Sequence, residues 1–153
     1  MIKYLIYSLS IISFLVSCTN GTFYEKNEPI PNRSWTYEKK PAFNIHIDDS
    51  KAKYDIYINL RHSNEYRFSN LFVLLHEKGN NLADTAYRKE IPLAQLDGRW
   101  LGNSAGSLYE VQYLAKENFV FPDTGTYTFA IEQNMRETPL KDIVDVGIKV
   151  IKK

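Results

Sequence analysis

One cysteine, Cys18, serves the whole 153-residue chain. A single thiol closes no internal disulfide and cannot supply the several sulfur ligands of a structural zinc site. The most apolar stretch, Tyr4 to Val16, has thirteen residues, short of the ~20 that a membrane-spanning helix needs. Neither sign of charge dominates, with 19 Lys+Arg against 18 Asp+Glu. That balance gives no electrostatic footprint for nucleic acid or for an anionic membrane surface. Internal repeats and low-complexity tracts are missing too. What the chain does have is aromatic side chains, eleven Tyr, eight Phe and two Trp, a composition that favours strands over helices.

The lone thiol is explained by its position. Upstream of it stand Lys3, a short positive flank, and then the apolar run Tyr4 to Val16. This is the length and order of a secretory signal peptide. The junction Leu15-Val16-Ser17-Cys18 resembles the bacterial lipobox. In signals of that kind the thiol receives a diacylglycerol, the chain is cut before the cysteine, and the new amine is acylated. Each buried CH₂ contributes about 0.8 kcal/mol, and two or more acyl chains make a stable anchor. Cys18 is therefore expected to be lipidated, leaving a mature chain with 18 charges of each sign after Lys3 is removed.

Residues 18–42 hold Pro29, Pro31 and Pro41 without sustained periodicity. They read as a flexible tether that Trp35 and Tyr37 are placed to dock onto the domain. From Phe43 the pattern turns to period two. Phe43-Ile45-Ile47 and Tyr54-Ile56-Ile58-Leu60 describe strands with one wet face, and Asn70 to His76 a central strand covered on both faces. Gly79-Asn80-Asn81 marks a hairpin turn before a strand over Leu82–Ile91. Tyr127-Phe129-Ile131 and Val144-Val146-Ile148-Val150 supply further strands, with Pro122-Asp123-Thr124-Gly125 as a turn; Leu108–Leu114 reads as another strand, with a helical turn or two over LYEVQYLAKEN as the alternative. Seven or eight short strands and no long helix predict an all-β domain over 43–153. Its expected form is a single antiparallel β-sandwich, jelly-roll or immunoglobulin-like, behind a signal peptide (1–17) and the tether.

Catalytic patterns fail on inspection. Gly102-Asn103-Ser104-Ala105-Gly106 matches the G-x-S-x-G elbow of α/β-hydrolases. However, His46, His62 and His76 all precede Ser104, which rules out the Ser, acid, His order of that fold. No histidine pair has metal-ligand spacing, and His76-Glu77 is not H-E-x-x-H. No catalytic residue, metal or cofactor is expected, nor a small-molecule ligand. A binding role fits better. Arg61, Asn64, Tyr66 and Arg67 lie in one polar connection and Trp100 in another, and Tyr, Trp and Arg are the residues enriched at protein–protein hot spots. The same aromatics would suit sugar stacking in a carbohydrate-binding lipoprotein of a glycan-uptake system. Taken singly, however, Tyr66 and Trp100 are each expected to fill the ends of the core.

Four segments taken in order are more specific: INLRHSNEYRFSNLF, DGRWLG, KENFVFPDTGTYTFAIEQNMRE and the terminal IVDVGIKVIKK. From about Ile58 to the C-terminus these resemble the GldH family of gliding-motility lipoproteins of Bacteroidetes, and the lipobox agrees. The resemblance implies a lipid-anchored, non-enzymatic envelope protein whose partners are other envelope proteins of gliding and type IX secretion. It assigns a defined role to Cys18 alone. Thr19-Asn20-Gly21-Thr22 lacks the acidic cluster that resembles this phylum's surface-export signal, so a periplasm-facing anchor is expected. Asp84-Thr85-Ala86 looks like its three-residue O-glycosylation acceptor.

Overall fold

A computed structural model describes residues 21–153. Cys18 and the signal peptide lie outside the described residues. Eleven strands follow one another: β1 (Thr22–Pro29), β2 (Ser34–Trp35), β3 (Ala42–Ile47), β4 (Tyr54–Ser63), β5 (Asn70–Gly79), β6 (Leu82–Pro92), β7 (Asn103–Ala105), β8 (Leu108–Phe119), β9 (Gly125–Gln133), β10 (Leu140–Lys141) and β11 (Ile143–Lys152). One 3₁₀ turn, Pro31–Arg33, is the only helical segment among the described residues. The strands form a five-stranded sheet in the order β1-β11-β4-β8-β7 and a four-stranded sheet in the order β3-β9-β5-β6. A two-stranded ribbon, β10-β2, closes one end. All pairings are antiparallel. The fold is the β-sandwich that the period-two pattern predicts.

The alternating apolar residues meet between the sheets. Ile56, Ile58 and Leu60 of β4 and Val146, Ile148 and Val150 of β11 are buried from one side. Phe43 and Ile45 of β3, Leu71, Val73 and Leu75 of β5, and Phe129 and Ile131 of β9 are buried from the other. Each such side chain contributes about 1.5–3 kcal/mol by leaving water. One end of this core is aromatic, with Tyr54, Phe121 and Tyr127 packed ring on ring, and Phe23 of β1 set against Tyr54 at 5.5 Å.

Three expectations change. Residues 22–29 are not tether. They form β1, paired with β11 from Thr22↔Ile151 to Pro29↔Asp145. The pairing runs against a sheet edge, so it needs no apolar alternation of its own. Trp35 docks as anticipated: it is fully buried, and its indole Nε1 donates to the Lys39 carbonyl at 2.7 Å. The strand covered on both faces is β4 rather than β5. On β4's outer face Asn59 is buried and donates to Glu25 Oε1 at 2.9 Å and Asn27 Oδ1 at 3.2 Å of β1. Beside it Asp55 accepts from the Asn118 amide and Lys153 Nζ, both at 2.8 Å. On β5 the residues Phe72, Leu74 and His76 are only half-buried. The strand from Leu108 is longer than its apolar pattern indicates and extends to Phe119.

The sandwich has two distinct ends. The start of β1, the end of β11 and the start of β4 lie together, since Lys152 pairs with Tyr54 and its amide donates to the Gly21 carbonyl at 3.3 Å. The end of β4, the start of β11 and the loops after Ser63 and Gln133 gather at the other. Ten residues of β4 separate them, roughly 30 Å at strand rise.

Candidate functional site

The end of the sandwich where β4 stops is built by the connection Ser63–Ser69. Its backbone is pinned on both sides. The Ser63 amide donates to the Asp142 carbonyl at 3.0 Å, and the Asn64 amide to the Ser107 carbonyl at 2.8 Å. This turns Tyr66 inward, to 4% exposure, and its hydroxyl donates to the Asn70 carbonyl at 3.1 Å. The ring joins His62, Trp100 and Tyr109 in one aromatic cluster, with centroids between 4.7 and 6.5 Å apart. Burial, and secondarily the Glu137 carboxylate, push the Tyr66 phenol well above its ordinary pKa. Of the two readings of these aromatics, the structure bears out core filling rather than an exposed binding surface. Tyr66 fills the core end, and Trp100 packs half-buried against that core.

The next two residues turn the other way. Arg67 and Phe68 form one wall of a cleft of about 750 Å³; Asn134, Met135, Arg136 and Glu137 form the opposite wall, with Phe72 of β5 and Arg88 of β6 as floor. The Arg88 guanidinium carbon lies over the Phe72 ring, 3.9 Å from its centroid, and Arg88 Nε donates to Asn134 Oδ1 at 3.1 Å. Arg67, with a side chain 71% exposed, reaches Glu137 only at 3.7 Å. Among the described residues, neither Arg88 nor Arg136 joins an ion pair, whereas Arg61 pairs with Asp145 and Arg99 with Asp97.

Gln133 organises the second wall. It is 1% exposed at the end of β9; its Nε2 donates to the Glu137 carbonyl at 3.0 Å and its Oε1 accepts from the Met135 amide at 2.9 Å. The Met135 carbonyl in turn accepts from the Tyr37 hydroxyl at 2.9 Å. A buried amide with both ends used fixes a loop firmly, because an orphaned partner would cost about 1–3 kcal/mol. Sequence reading does not single out Gln133, Phe72 or Arg88. They stand far apart in the chain, and only the β5–β6 and β5–β9 pairings bring them together.

The other candidates lie elsewhere. Arg61 projects from the outer face of β4, where Asp145 holds it beside a shallow groove of about 100 Å³ lined by Asn103, Ser104, Ala105, Leu108 and Glu110. Asn64 is exposed in the pinned connection. Ser104 sits on β7, and the three histidines are engaged elsewhere: His46 lies 3.4 Å from Thr126 Oγ1, His76 contacts Glu132 at 2.7 Å, and His62 is in the aromatic cluster. Gly102 of that motif has a backbone role. Its φ is +85°, and a Cβ there would collide with the Glu110 carbonyl. Thr85 of the glycosylation motif is half-buried within β6, its hydroxyl donating to the Ala83 carbonyl at 3.1 Å. Among the described residues no group of His, Cys, Asp and Glu side chains is arranged to hold a metal ion.

Comparison with known proteins adds the family. A family model described as "GldH lipoprotein" matches residues 22–150. The chain is 33% identical to a "Gliding motility lipoprotein GldH homolog" of Christiangramia forsetii, over 96% of this chain and 93% of that protein. It is 29% identical to the "Gliding motility lipoprotein GldH" of Flavobacterium johnsoniae, over 91% of this chain and 90% of that protein. No solved structure matches.

Proposed function

The chain belongs to the GldH lipoprotein family, and from that premise we propose that it is a gliding-motility lipoprotein, anchored to the cell envelope through Cys18 and facing the periplasm. Its domain acts by contact with other envelope proteins, as a non-enzymatic assembly or stability factor of gliding machinery linked to type IX secretion. The observation that carries this reading is the extent of the family match, which starts at β1 directly behind the lipobox and runs to Val150. The names of both relatives, each a gliding-motility lipoprotein, support the same role. The site geometry supports contact over catalysis, since the cleft beside Arg67 presents guanidinium groups rather than a nucleophile. The glycan-binding alternative loses its motivating feature, because Tyr66 is buried and Trp100 is packed in the same cluster.

The reading is tested in the native host. Deleting the gene is expected to abolish colony spreading and to lower export of proteins carrying type IX signals. Wild type restores both, whereas Cys18→Ala does not, and this variant leaves the membrane fraction. Normal spreading and export in the deletion strain would count decisively against the proposal.

A further inference from the structure

The arginine cleft has a charge pattern that the rest of the domain does not share. Three of the chain's six arginines line it, although the mature chain as a whole is balanced. Of the other three, two are neutralised by Asp145 and Asp97. Inside the cleft the one carboxylate is Glu137, set at 3.7 Å from Arg67. The guanidiniums are also preorganised. Stacking on Phe72 and the bond from Nε to Asn134 hold Arg88, leaving its two terminal nitrogens as a planar fork, the geometry that matches a carboxylate. Gln133 holds the opposite wall, so little ordering cost remains to be met on binding.

We propose that this cleft receives an extended acidic segment of a partner protein. Carboxylates of the segment pair with Arg67, Arg88 and Arg136, and an apolar side chain between them lies on Phe68 and Met135. The inference rests on the contact-based function above and names where and with what chemistry the contact is made. A volume of about 750 Å³ accommodates a few residues and lies within the usual range of binding clefts. Alternating cationic and apolar lining fits a polypeptide better than a single anion. Lipid headgroups are disfavoured by position. Cys18 is four residues before β1, so an anchored chain reaches at most roughly 14 Å. The cleft lies at the far end of the sandwich, about 30 Å away along β4. A neutral sugar would bring no counter-charge to the three guanidiniums of the lining.

The test is a fluorescence-anisotropy titration of the lipidated full chain in detergent micelles. The probe is a labelled peptide alternating Glu and Leu, beside the same peptide with Gln for Glu. Binding is expected for the Glu peptide, falling with added salt, and absent for the Gln peptide. Arg88→Gln with Arg136→Gln is expected to weaken it about tenfold or more, since removing even one charge-assisted hydrogen bond has an effect of roughly that size. Arg99→Gln, outside the cleft, leaves it unchanged. Equal binding of both peptides, or undiminished binding by the double variant, overturns the proposal. So does displacement of the Glu peptide by inorganic phosphate or polyglucuronate at concentrations below those of unlabelled peptide. Crosslinking in intact cells separates this from the broader reading. Partners recovered equally by wild type and by the double variant overturn the cleft assignment alone, whereas no partners with either overturn contact-based function itself.

Discussion

Gln133 and His62 are buried polar side chains with opposite degrees of satisfaction. The Gln133 amide uses both ends to fix the loop that carries Met135 and Arg136. His62, 0% exposed, contacts the Ser63 carbonyl at 2.8 Å through Nδ1, which must therefore carry the proton, while Nε2 has no partner. Burial lowers its pKa, opposed only in part by the bond to Ser63. The titratable groups packed on it are the phenols of Tyr66 and Tyr109, and burial holds the Tyr66 phenol above its ordinary pKa. The fold thus prefers neutral imidazole. The stability this gives is fully present above the unfolded value of about 6.5 and is lost as pH falls through the lower folded value. Urea denaturation midpoints should fall from neutral pH toward pH 5, and His62→Phe should flatten that dependence; an equal slope in the variant would remove His62 as the cause. At this scale the sequence is a partial guide. It marks Arg67 together with its neighbours, but which side chains of Asn64–Phe68 turn outward depends on backbone bonds to Asp142 and Ser107. Nothing in the local pattern announces those bonds.

The strands β3, β4, β9 and β11 are legible because period-two burial against a shared core leaves its mark on their residues, while β5 is marked by a continuous apolar run and β6 by the Gly79-Asn80-Asn81 turn before it. The strands β2, β7 and β10 have two or three residues each, too few to carry a period. For β1 the reason is different. Its residues Glu25 and Asn27 turn outward over β11 and β4, so polar side chains do the packing. Gly147 makes the approach possible. A Cβ there would collide with the Asn27 side chain and the Lys26 carbonyl, so Gly147→Ala must lift β1 from β11. The expected cost is about 1–3 kcal/mol, as for other overpacked sites. Hydrogen exchange should show selective loss of protection over residues 22–29, with β5 and β9 unaffected. Uniform loss across both sheets would mean instead that β1 is integral to global folding.

For the molecule as a whole, pairing of β1 with β11 shortens the expected leash from residues 18–42 to 18–21. With Cys18 lipidated, the domain is held close to its membrane by the end where β1 begins, and the arginine cleft lies toward the opposite end. This polarity has no signature in the sequence. Arg67, Arg88 and Arg136 lie in three separate segments, and the pairing of β5 with β6 and β9 gathers them toward the end opposite β1's start. The lipobox differs in being a local signal, four adjacent residues that need no tertiary pairing to be recognised. The proposed function thus has a lipid-held sandwich offering its distal end to a partner. A photoreactive residue introduced at Glu137 in living cells tests this most directly. The predicted result is a discrete adduct with an envelope protein, lost in Cys18→Ala and in the Arg88→Gln, Arg136→Gln variant. Cells that spread normally while yielding no adduct at Glu137 would contradict it.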